Sequence, residues 1–154
     1  MTTFFDAIRQ GMADLVQTHL EGDHALLQAK DQRGSTPLLL ATYYGQEKIV
    51  GLLLHKGAAV NERDASGNTA LMGVCFKGFA HLATLLLEHG ADPNLKNAMG
   101  GTALIYAATF GHEEMVATLL SHGADRSVKD ARGQTALDHA LAQGFTKIAS
   151  LLKA

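Results

Sequence analysis

Apolar positions along this chain come as paired short bursts, not as one long run. Ile49, Val50, Leu53 and Leu54 follow an i, i+1, i+4, i+5 spacing, which places them on one face of a helix. Just before them, "PLLLATYYG" reads as a shorter helix ending in glycine. Polar, glycine-containing segments separate the bursts. The pair then recurs. "DQRGSTPLLLATYYG" from Asp31, "DASGNTALMGVCFKG" from Asp64, "NAMGGTALIYAATFG" from Asn97 and "DARGQTALDHALAQG" from Asp130 begin 33 residues apart. Thr36, Thr69, Thr102 and Thr135 keep the register, as do Leu38, Leu71, Leu104 and Leu137, and Gly45, Gly78, Gly111 and Gly144. A further pair, "TTFFDAIRQGMADLVQTHL", opens the chain with Thr2 in the slot of Thr36. One extra residue in "EGDHALLQAKD" makes this first spacing 34.

Each unit has a physical reading. Asp-x-x-Gly, as in Asp31 to Gly34, suits a type I turn with Asp first and Gly last. The following Thr can cap a helix, and Pro37 at a first helical position costs no hydrogen bond. The helix stops at a glycine that tolerates positive φ. A second, amphipathic helix ends at Gly57, Gly90 or Gly123, and an extended finger leads to the next turn. Asn61 and Asn94 in the fingers read as turn chemistry.

The period, the turn and the spaced Thr, Leu and Gly positions resemble the ankyrin repeat: about 33 residues, a β-turn and two antiparallel helices. The resemblance covers nearly the whole chain. It implies an all-α solenoid of five helix pairs linked by β-turn fingers, a single domain over residues 1–154. The expected divisions are an N-terminal capping repeat 1–30, repeats 31–63, 64–96 and 97–129, and a C-terminal capping repeat 130–154. The family's signature His is absent, replaced by Leu39, Met72, Ile105 and Asp138. More apolar packing and fewer polar ties are expected in that layer. Asp138, His139 and Lys153 at one end, and Asp6 and His19 at the other, stand where inner copies are mostly apolar. These are the polar outer faces that terminal repeats need. The array is therefore expected to be complete.

Composition narrows the function. At 47% hydrophobic and 18% charged the chain is an ordinary globular sequence. A net charge of -2 with scattered Lys and Arg argues against nucleic acid and against a basic membrane-surface site. No apolar run approaches a membrane span. A monomer in the cytoplasm is expected, or a periplasmic or secreted protein if a signal peptide was removed.

Candidate chemistry is sparse. The single thiol, Cys75, falls in a helix-packing slot where other copies have Thr42, Ala108 and Leu141. His89 and His122 sit in the last turns of second helices, where a cation suits the helix dipole, and no His-x-x-x-His pair offers zinc ligands. Phosphate-loop and nucleophile-elbow patterns are missing. Neither a catalytic function nor a cofactor nor a metal is expected.

A binding role remains, and the resemblance implies a concave surface built from finger tips and first helices. The two residues before each helix-ending glycine are the slots that the repeat pattern leaves open. Among the three middle copies they hold Tyr43, Tyr44, Phe76 and Phe110, four of the chain's nine aromatics, and Lys77. Met99 and Ser66 lie on nearby turn tips, and Arg9, Arg33 and Arg132 frame the set. Aromatics, Met and Arg are enriched in interface centres. These residues are the expected site for a protein or peptide partner, with inhibition or regulation of that partner as the role. The alternative is a homo-oligomer that buries the same aromatic face.

Overall fold

The computed structural model describes residues 2–154. Ten α-helices and one 3-10 helix, with no strand among these residues, follow the repeat. The first helices are α1 (Phe4–Arg9), α3 (Pro37–Tyr43), α5 (Ala70–Lys77), α7 (Ala103–Thr109) and α9 (Ala136–Gln143). The second helices are α2 (Ala13–Gly22), α4 (Glu47–His55), α6 (Ala80–Glu88), α8 (Glu113–Ser121) and α10 (Thr146–Lys153). Each first helix packs on the next first helix and on its own second helix, and the second helices stack likewise. Helices of 6 to 10 residues are too short to hold alone, so packing between the two layers must stabilise them. Ile8, Leu38, Leu71 and Leu104 from one layer, and Leu53, Leu86 and Leu119 from the other, are fully buried. Burial of each such side chain contributes about 1.5–3 kcal/mol.

The local chemistry read from the sequence is present in every copy. Thr36, Thr69, Thr102 and Thr135 cap their helices, each hydroxyl oxygen accepting the N–H three residues on at 3.2 to 3.3 Å. In the first pair Thr3, not Thr2, does this, accepting from the Asp6 N–H. Thr3 lies 33 residues before Thr36, whereas Gly11 lies 34 before Gly45, so α1 is one residue shorter than α3. In each turn the Gly34-type N–H donates back to the Asp31-type carbonyl. The Oδ1 of Asp31, Asp64, Asn97 and Asp130 accepts two further backbone N–H groups, at 2.9 to 3.0 Å. Asn61 and Asn94 do serve finger structure: each bridges to the next repeat, accepting the N–H of Asp92 or Asp125 and donating to the carbonyl of Gly90 or Gly123.

Replacing the signature His has the expected apolar result: Leu39, Met72 and Ile105 are all buried. Polar ties to the turn survive, but from the next residue along. The Tyr106 hydroxyl accepts from Asn97 Nδ2, and His139 Nε2 lies 2.7 Å from Asp130 Oδ2. Asp138 is exposed and reaches back to the Thr135 N–H, closing a capping box.

The Asp130 tie makes a prediction in pH. Its hydrogen bond to His139, and those from the Gln134 and Arg132 N–H groups, hold the Asp130 carboxyl below the usual carboxylate value. The folded state thus favours the ionised form. The stabilisation is present above the ordinary value near pH 4 and is lost as pH falls further. Asp130→Asn keeps the turn acceptor, as Asn97 does in the third copy, but removes the charge. The variant is expected to be less stable at neutral pH, with the deficit closing below about pH 4. Urea unfolding at a series of pH values checks this, and a deficit independent of pH contradicts it.

Candidate binding face

The residue after each helix-ending glycine plugs the preceding repeat. A Cβ on Gly45 would lie 3.2 Å from the Phe79 ring, one on Gly78 would lie 2.6 Å from the His112 ring, and one on Gly111 would lie 2.9 Å from the Phe145 ring. Gln46 covers Gly11 in the same way and donates to the Arg9 carbonyl at 2.9 Å. Phe79 and Phe145 are therefore packing residues. With the inter-repeat joint filled from this side, the pair of residues before each glycine is left facing outward.

Those outward rings are exposed. Tyr43 is 58% exposed, Tyr44 46%, Phe76 53% and Phe110 45%, and Met99 on its turn tip is 62% exposed. They fall into two clusters. Tyr43 and Tyr44 meet edge to face with centroids 5.2 Å apart. Lys77 joins them from the next repeat: its ammonium sits 3.7 Å over the Tyr43 ring and donates to the Tyr43 carbonyl at 2.8 Å. Phe76 packs against Phe110 at 4.6 Å and against Tyr106 at 6.2 Å.

A groove of about 1130 Å³ runs along the first helices and turns of the first three repeats. Arg9, Arg33, Tyr43, Tyr44, Ser66, Phe76 and Lys77 all line it. Met99, Phe110 and Arg132 do not, although Phe110 touches the groove through Phe76. Arg9 is engaged within the chain, its guanidinium 2.9 Å from Asp6 and 3.6 Å from Asp31. Arg33 and Arg132 are exposed, and no acidic group within ion-pair distance holds them among the described residues.

Tyr106 also belongs to this face, although the sequence does not mark it as a site residue. It is half-buried, with its ring in the groove and its hydroxyl tied to Asn97. Two departures from the repeat pattern signal it. Asn stands at 97 where the other turns have Asp, and its Nδ2 donates to Tyr106 and to Asn68, which a carboxylate could not do. Gly stands at 101 where others have Ser, Asn or Gln, because a Cβ there would lie 3.0 Å from the Tyr106 hydroxyl.

Other reactive groups have structural surroundings. Cys75 is fully buried, and desolvation pushes its thiol up, away from the thiolate. His89 and His122 each donate from Nδ1 to the carbonyl four residues earlier, at 2.9 Å, closing the last turn of α6 and α8. No helix among the described residues is long and apolar enough to cross a membrane.

Stacked helix pairs joined by turn fingers define an all-helical repeat solenoid. A family model described as ankyrin repeats (3 copies) matches residues 4–97 and again residues 72–154. The chain belongs to the ankyrin repeat family. Ankyrin repeats are in general protein–protein interaction modules, and the family is typically non-catalytic. No curated protein matches the chain.

Proposed function

We propose that this protein binds a protein or peptide partner on the face formed by its first helices and turn tips, and acts as an inhibitor or regulator of that partner. The observation that carries the reading is the clustering of exposed large apolar side chains. Seven stand exposed among the described residues, and five of them, Tyr43, Tyr44, Phe76, Met99 and Phe110, lie on this one face. Scattered singly, such residues need no explanation, but gathered on one surface they mark an interaction site. Buried cores would hide them, and the plugs at Phe79 and Phe145 already fill the joints between repeats.

Affinity capture from a lysate of the source organism, read by mass spectrometry, tests the reading. Wild-type protein is expected to retain a partner that Tyr43→Ala/Tyr44→Ala loses while remaining folded. A partner retained equally by both proteins moves the site elsewhere. Light scattering across a dilution series separates the self-association alternative: a dimer that persists on dilution, and that the double substitution dissolves, reassigns the face to a second copy of the chain.

A further inference from the structure

The fingers are not spaced alike. From the second finger onward they are locked together. The Ala98 N–H donates to the Ser66 carbonyl at 3.1 Å, and the Ala131 N–H to the Met99 carbonyl at 3.0 Å. Added Cβ atoms on Gly67 and Gly100 would lie 3.0 and 2.8 Å from the backbone nitrogens of Ala98 and Ala131. Arg63 adds a bond to the Lys96 carbonyl at 2.6 Å. Between the first and second fingers none of this holds. By register the Ala65 N–H should meet the Arg33 carbonyl, yet no hydrogen bond joins them among the described residues. A Cβ on Gly34 would meet nothing within 4 Å. The connection before the first turn also differs: a 3-10 helix (His24–Gln28) stands there in place of an extended finger. Gln28 occupies the slot from which Asn61 and Asn94 bridge to the next repeat.

The gap opens into the groove, where Asp6 is paired with Arg9 at 2.9 Å. Asp31 and Asp64 on its walls are turned inward, each Oδ1 already accepting two backbone N–H groups at 2.9 Å. Lys30 and Arg33 line the same groove, exposed, and no carboxylate lies within ion-pair distance of either among the described residues. Lys77 lines the same groove, its ammonium over the Tyr43 ring. A chain of net charge -2 thus offers cations at this opening.

We infer that the gap between the first two fingers receives an extended acidic segment of the partner. Its carboxylates face Lys30, Arg33 and Lys77, and an apolar side chain lies on the rings of Tyr43 and Phe76. The free Ala65 N–H and Arg33 carbonyl supply the rung of backbone pairing that an extended segment completes. This rests on the reading of the face as a protein-binding surface and adds the chemistry of what it takes.

Selection of a random-peptide library on the full chain tests the inference. Enriched peptides are expected to carry net negative charge and at least one aromatic or aliphatic residue. A synthetic copy of the leading peptide, titrated by calorimetry, is expected to bind about tenfold or more weakly to Lys30→Glu/Arg33→Glu. Its affinity should also fall as salt is raised. Binding should be unchanged by Glu113→Lys/Glu114→Lys on α8, in the other layer. Melting curves of each variant keep loss of fold apart from loss of binding. Enrichment of neutral or basic peptides overturns the inference, as does undiminished binding to the charge-reversed variant, or no enrichment at all. In each of these cases a partner captured through Tyr43 and Tyr44 leaves the binding face standing and removes only the acidic segment.

Discussion

Truncating Leu86 to alanine is expected to lower stability by about 2–5 kcal/mol. Leu86 is fully buried in α6, and Leu53, Leu119 and Leu152 repeat its slot in α4, α8 and α10. The cost has two parts, the lost transfer energy of the removed carbons and the cavity left behind. Collapse into that cavity is limited here, because α6 is held between α4 and α8 on one side and against α5 on another. Position matters as well. In a solenoid each repeat is stabilised by its neighbours, so damage to a central one weakens two interfaces. Against a total of about 5–15 kcal/mol for a domain, the loss is large. Urea unfolding followed by far-UV circular dichroism measures it. A loss well under 1 kcal/mol contradicts the two-layer core.

Gly100→Ala is the second large effect, and Gly34→Ala is its control. Both glycines close the same turn with positive φ, +74° for Gly100 and +82° for Gly34. A left-handed alanine costs about 1–2 kcal/mol at either position. The surroundings then separate them. At Gly100 the new Cβ lies 2.8 Å from the Ala131 nitrogen, and backbone cannot swing away as a side-chain tip can. Relief requires pushing the fourth finger off the third, with the Ala131 to Met99 hydrogen bond broken. Overpacking of this kind adds about 1–3 kcal/mol. At Gly34 the space is open and only the strain remains. Gly100→Ala should therefore lose roughly twice as much stability as Gly34→Ala. Equal losses would mean that the first two fingers are as tightly stacked as the others.

The repeat, its turns, its caps and its buried slots are legible in the sequence because each depends on chemistry within a few residues. Thr36 caps the helix that follows it, and Asp31 closes its own turn. Cys75 is recognisable as a packing residue because its slot holds small residues in the neighbouring copies. The outward rings were legible by elimination, since Tyr43, Tyr44, Phe76 and Phe110 occupy the slots that the repeat does not use. What escaped depends on side-chain contacts that span a helix, a turn or two repeats. Arg9 reads as a free cation until Asp6 and Asp31 are seen beside it. Tyr106 stands in an inner-helix slot, and its place on the face emerges only once its hydroxyl is found on Asn97, nine positions back in the turn. The unfilled rung between Arg33 and Ala65 is a missing contact between two turns with the same local chemistry as the others, so it appears only in three dimensions. The shifted cap at Thr3 is a smaller case: two adjacent threonines offer the same chemistry, and the length of α1 selects between them.

Tyr43 and Tyr44 can be assigned to a partner only if the fold stands without them. Tyr43 ends α3 and Tyr44 caps it, so alanine at both positions keeps the backbone, including the carbonyl that Lys77 grips. The exposed cation–π contact with Lys77 contributes about 0.5–1 kcal/mol. Higher helix propensity of alanine offsets part of it. Urea unfolding of Tyr43→Ala/Tyr44→Ala beside wild type and Leu86→Ala is the direct measurement. The double variant is predicted to lie within about 1 kcal/mol of wild type. A loss as large as that of Leu86→Ala would make the rings part of the core and contradict the binding face.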